Sequence, residues 1–81
     1  MSADAWTVRL TREARRSLNA LPDKVRPAVI EFLSNSLATD PHRVGHPLER
    51  ELVGLHSARR GEYRVIYEVR PETREVIVLR T

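Results

Sequence analysis

The chain reads as an α+β domain of order β-α-α-β-β-β, with an N-terminal helical hairpin packed on one face of a mostly antiparallel four-stranded sheet. Three observations predict it. Apolar residues alternate at Trp6, Val8 and Leu10, and again at Tyr63, Val65, Tyr67 and Val69, which is the period of a half-buried strand. Between these runs they recur at helical spacing, through Ala14, Leu18 and Leu21 and then Val25, Val29, Ile30, Phe32, Leu33 and Leu37. The length, 81 residues, leaves room for one small domain spanning 1–81.

The elements follow in order. Trp6 to Leu10 is a first strand, and Thr11 is a natural N-cap for a helix running to Leu21. Pro22 punctuates, and Asp23 is expected to cap a second helix. Pro27 falls near its first turn, where the missing N–H costs little. Asp40-Pro41 ends that helix, and the stretch to Pro47 reads as a loop. Leu48 to Arg59 holds a second strand, with a kink expected at Gly54. Gly61 turns the chain into the alternating strand. Pro71-Glu72-Thr73-Arg74 is a hairpin turn, and Glu75 to Arg80 is a final strand rich in β-branched residues.

Composition narrows the function classes. With no cysteine, disulfides and thiolate zinc sites are excluded. The formal net charge is +3, and of the fourteen basic residues only Lys24 is not arginine. Arginine keeps its charge and offers a planar fork of donors, so the bias favours an anionic partner. No apolar run approaches the roughly 20 residues that span a bilayer. The start, Met1 to Trp6, lacks the charged and apolar blocks of a secretory signal, so a cytoplasmic protein with no membrane partner is expected.

The densest motif lies between Leu55 and Arg70. It contains Ser57-x-Arg59-x-Gly61-x-Tyr63-Arg64-Val65-Ile66-Tyr67, with Glu62, Arg64, Glu68 and Arg70 on the polar side of the strand. Together with the opening Trp6-x-Val8-x-Leu10-Thr11 and the closing Val76-Ile77-Val78-Leu79, this segment resembles the RelE/ParE toxin superfamily over nearly the whole chain. The resemblance implies a toxin of a type II toxin–antitoxin system, neutralised in a hetero-oligomer by an antitoxin encoded beside it. RelE-type members enter the ribosomal A site and cleave mRNA there without a metal or other cofactor. ParE-type members share the fold, lack nuclease activity and poison DNA gyrase. The Arg-rich second and third strands are more similar to the RelE pattern. The reading is therefore a ribosome-dependent endoribonuclease with a RelB-like antitoxin, the ribosome and mRNA as partners. A ParE-like gyrase poison is the alternative.

Metal-independent RNA cleavage needs cations to stabilise the phosphorane, a base for the attacking 2′-OH and an acid for the leaving 5′-oxygen. By the resemblance, Arg64 corresponds to the strand arginine that contacts the scissile phosphate, and Arg59 is the second phosphate ligand. Arginine does not deprotonate in proteins, so both can only stabilise charge. His56 is the nearby group of a type that titrates near neutrality and is the candidate acid or base. Arg9, Arg12, Arg15 and Arg16, with Arg60 and Arg80, are candidates for contact with RNA backbone, against the bland alternative of solvated surface. His42 and His46 flank Arg43 at a spacing that suits a metal only on a helix, and no metal site is expected. Two departures from the family stand out. Leu55 and Ser57 occupy the positions where well-known members carry catalytic lysines. The sequence also stops at Thr81, before the family's basic and aromatic C-terminal tail, so either that tail lies beyond it or this member lacks that half of the site. This form is accordingly expected to be weak or inactive as a nuclease.

Overall fold

The computed structural model describes residues 5–50 and 54–81. Strand β1 (Thr7–Leu10) leads into helix α1 (Arg12–Asn19), followed by α2 (Arg26–Glu31), which runs on as a π-helical segment over Phe32–Leu37. Strands β2 (His46–Pro47), β3 (Leu55–Arg60), β4 (Tyr63–Arg70) and β5 (Glu75–Arg80) complete a five-stranded sheet of order β1-β5-β4-β3-β2. The class is α+β as expected, with one strand more than the sequence suggested. The extra one is β2, where His46 and Pro47 pair antiparallel with Ser57 and His56. A two-residue strand holding a proline carries no alternation to read, and it is tolerated because it lies on the sheet edge. All pairings are antiparallel except β1 with β5.

Thr11 caps α1 as its side chain allows: its Oγ1 accepts from the Ala14 N–H at 3.0 Å. Asp23 does not cap α2. The helix begins later, after Val25, with Pro27 in its first turn, and the Asp23 carboxylate instead pairs with Arg26 at 3.0 Å. In a π-segment each N–H reaches five residues back. That geometry sets Phe32 above Leu37, and both are buried. Ile30, expected in the apolar stripe, is 43% exposed, because Val29 and Leu33 take the core-facing side of the helix.

The expected strand from Leu48 starts only at Leu55. Gly54 lies in a turn at φ 99°, a left-handed conformation suited to glycine, and residues 51–53 of that stretch lie outside the described part. The β3–β4 hairpin turns through Gly61 and Glu62, with Gly61 at φ 60°. The core lies between the helical hairpin and one sheet face, where Ala14, Leu37, Val65, Tyr67, Val76 and Val78 are almost wholly shielded. Tyr67 donates its hydroxyl to the Pro41 carbonyl at 2.6 Å, tying the interhelix-to-sheet crossing to the centre of β4. Among the described residues no helix is long and apolar enough to cross a membrane.

Candidate nucleic-acid interface

The helices cover one face of the sheet and leave the other open, so strand alternation decides which side chains meet. Ala58, Val65, Tyr67, Val76 and Val78 point to the helices. Their neighbours in sequence, Ser57 and Arg59 on β3 and Arg64, Ile66, Glu68 and Arg70 on β4, therefore point to the open side. Arg59 and Arg64 are direct cross-strand partners there. Like charges directly opposite one another destabilise a sheet. Two other open-face arginines are neutralised: Arg9 bonds Glu75 at 3.0 Å and Arg70 pairs with Glu68. Among the described residues neither Arg59 nor Arg64 makes an ion pair, and Arg59 donates only to the Gly61 carbonyl, at 3.1 Å. Two uncompensated guanidiniums thus stand side by side, an arrangement that an incoming anion stabilises.

A third arginine joins them through an irregularity. Tyr67 pairs with Val78 but Ile66 pairs with Arg80, so Leu79 is an extra residue in β5. Uninterrupted alternation from Val76 and Val78 would send Arg80 to the helices. The bulge instead sets it beside Ile66 on the open face, while Thr81 turns back to hydrogen-bond Ser17 of α1 at 3.0 Å. Arg64, Ile66 and Arg80 line a shallow groove of about 380 Å³ with Glu62, Tyr63 and Thr81.

The structure separates other candidates from this group. His56 pairs with Tyr67 across β3 and β4 and stacks on its ring at 5.4 Å, on the helix-facing side. It belongs to a ladder of rings running Trp6, His42, His56 and Tyr67. Burial, and secondarily the nearby His42, hold its imidazole below the ordinary value of 6.5. Its buried Nδ1 has no hydrogen-bond partner among the described residues. Near in sequence, it lies on the other face: His56 is three positions before Arg59, and an odd offset on a strand reverses the side. Arg60 is also on the helix side, its guanidinium 5.2 Å from the Phe32 ring centroid in a cation–π contact. Arg12, Arg15 and Arg16 are exposed on α1, across the sheet from Arg59 and Arg64, whereas Arg9 is in β1 on the open face. They form two basic surfaces where the sequence suggested one cluster.

One open-face residue, His46, was weighed in the sequence only as a metal ligand. His46 pairs with Ser57, Ser57 with Ile66, and Ile66 with Arg80, so one row across the sheet begins at His46 and ends at Arg80. No sequence signal revealed this, since it depends on β2 forming at all. Among the described residues no group of histidine and acidic side chains is placed to hold a metal. A second concavity lies on the opposite side, where Trp6, Val8 and Leu10 of β1 meet Leu18, Ile30 and Leu33 of the hairpin in an apolar groove of about 350 Å³.

Known proteins are similar to this chain in sequence and architecture. A family model described as the ParE toxin of the type II toxin–antitoxin system parDE matches residues 8–81. Toxin RelG of Mycobacterium tuberculosis is 49% identical over 75 residues, 93% of this chain and 86% of that protein. Toxin RelE of the same organism is 50% identical over 64 residues, 79% of this chain and 66% of that protein. The crystal structure of the toxin–antitoxin complex RelBE2 from M. tuberculosis superposes with a TM-score of 0.93 at 47% identity, covering 98% of this chain and 91% of that one.

Proposed function

This chain belongs to the RelE/ParE family of type II toxin–antitoxin toxins, and from that premise we propose that it is a ribosome-dependent, metal-independent endoribonuclease that cleaves mRNA in the A site. The observation that carries this reading is the juxtaposition of Arg59 and Arg64, uncompensated on the open face, with Arg80 brought in by the bulge. Residues 1–81 act as a single toxin domain in the cytoplasm. The mRNA backbone crosses the open face, with the scissile phosphate between Arg59 and Arg64 and the next phosphate near Arg80. As O2′ attacks, negative charge grows on the equatorial oxygens, and the two guanidiniums stabilise it. Arg12, Arg15 and Arg16 hold ribosomal RNA on the helix side through sequence-independent contacts.

The partner that silences the toxin is a RelB-like antitoxin, held in a hetero-oligomer. The relative crystallised as RelBE2 is itself a toxin–antitoxin complex. The apolar groove between β1 and the hairpin, with Ile30 on its rim, suits an apolar antitoxin segment. A second reading is favoured by the family model, which describes ParE: the arginines would then be recognition groups in a gyrase poison without nuclease activity.

Cleavage of mRNA on programmed ribosomes separates the two. The nuclease reading expects A-site cleavage that drops at least about a hundredfold in Arg64→Ala, the scale of losing one charge-stabilising donor. Growth inhibition with intact mRNA and trapped gyrase would establish the second reading instead.

A further inference from the structure

The three open-face arginines stabilise charge but cannot take a proton, and His56 faces the helices. The open face still needs a proton acceptor if it cleaves RNA. We propose that His46 is that group, the base that removes the proton from the attacking ribose 2′-hydroxyl; this rests on the nuclease reading above.

The argument is one of register. His46 is an exposed residue of the edge strand β2 and pairs with Ser57, whose side chain is open-facing because its neighbour Ala58 is buried under the helices. Gly45 confirms the sense of alternation: a β-carbon there would meet Tyr67 on the helix side, so the next residue points the other way. Neighbouring strands lie about 5 Å apart and alternate residues on a strand about 7 Å apart. The His46 Cα is therefore on the order of 8 Å from that of Arg59 and roughly 12 Å from that of Arg64. Long guanidinium side chains span that gap towards a shared phosphate, and the proposal orients the RNA so that the ribose 3′-linked to that phosphate lies towards the sheet edge, where His46 stands. Imidazole is the side chain suited to proton transfer near neutral pH. The charged groups facing it on this side are Arg59 from β3, Arg64 and Glu68 from β4 and Arg80 from β5, with Glu68 engaged by Arg70.

In the step itself the imidazole nitrogen takes the 2′-OH proton while the O2′–P bond forms. The P–O5′ bond breaks, the 5′-oxygen takes a proton from water, and the imidazolium returns its own to solvent. The products are a 2′,3′-cyclic phosphate and a 5′-hydroxyl end, with no change of oxidation state.

The test is single-turnover mRNA cleavage on saturating programmed ribosomes, across pH 5.5 to 8.5. It compares the full-length unsubstituted toxin, including any residues encoded beyond Thr81, with His46→Ala, His46→Gln, Arg64→Ala and His42→Ala in the same form. Both His46 variants are expected to cleave about a hundredfold more slowly and to lose the limb that rises with pH. Arg64→Ala is expected to slow cleavage yet keep that limb, and His42→Ala to match the parent. Ribosome affinity should stay within about twofold in the His46 variants, since a base adds nothing to ground-state binding. His46 variants that cleave within about threefold of the parent, or keep its pH profile, overturn the proposal alone. Slow cleavage traced to lost ribosome affinity overturns it as well. A parent that does not cleave overturns the nuclease reading together with it.

Discussion

A β-carbon at Gly45 would stand 2.3 Å from the Tyr67 hydroxyl and 2.9 Å from the Ser57 carbonyl oxygen, contacts no side chain tolerates. Gly45→Ala must push Tyr67 off the Pro41 carbonyl or shift β2 off the sheet edge. The combined cost is about 2 kcal/mol or more, measurable by urea unfolding. Tyr67→Phe leaves packing intact but strands the buried Pro41 carbonyl, and should cost roughly 1–2 kcal/mol in the same assay. The Tyr67 phenol is pushed up to about 12 by burial and by Asp40, so it remains a donor at physiological pH. His56 gives the molecule an acid-sensitive element. Its folded-state imidazole lies below the ordinary 6.5, so below that pH the unfolded chain binds the proton more readily than the folded one. Its contribution is complete above pH 6.5 and is lost as pH falls through the folded value. The melting temperature should therefore decline from pH 7 to 5, and His56→Phe should flatten part of that decline while keeping the stack on Tyr67.

At the scale of elements, β3 and β4 carry an unrelieved like-charge pair. Arg59 and Arg64 oppose one another across the hairpin, while Arg9 and Arg70 are neutralised. Replacing Arg64 by Gln should raise stability by a few tenths of a kcal/mol to about 1 kcal/mol at low salt, fading as salt screens the repulsion. The same change should abolish cleavage. A variant that lost activity and stability together would argue that Arg64 is a structural residue. The β5 bulge is the second element-level device. It costs one residue of regular pairing and turns Arg80 from the core side to the groove beside Arg64 and Ile66.

Over the whole molecule, the sheet separates two kinds of surface. The open face carries Arg59, Arg64 and Arg80, while the helix side carries the exposed arginines of α1 and the apolar groove against β1. Ile30→Asp should weaken antitoxin binding at least about tenfold, because it places a charge on an apolar rim, and should leave cleavage by the free toxin unchanged. Binding titrations and cleavage measured on the same preparation check both halves. Reversing the charge of Arg12, Arg15 and Arg16 should reduce ribosome affinity and lower its salt dependence without changing the cleavage rate at saturation.

Alternation and helical spacing were enough to identify the hairpin, the strands β1, β4 and β5, the Thr11 cap and the turns at Gly61 and Pro71. These are local preferences, written in consecutive residues. Arg59 and Arg64 were named from the family resemblance, and only the register of the hairpin makes them direct cross-strand partners. What escaped the sequence depends on partners distant in the chain. The strand β2 exists only because β3 offers His46 and Pro47 an edge. His56 faces the core because Tyr67 and His42 are there to receive it. The side to which Arg80 turns is decided by a bulge that pairing with β4 creates. A strand's period of two states which residues share a face, but only packing states which face is covered. That single bit of information, fixed by where the helices settle, decides which histidine stands beside the arginines.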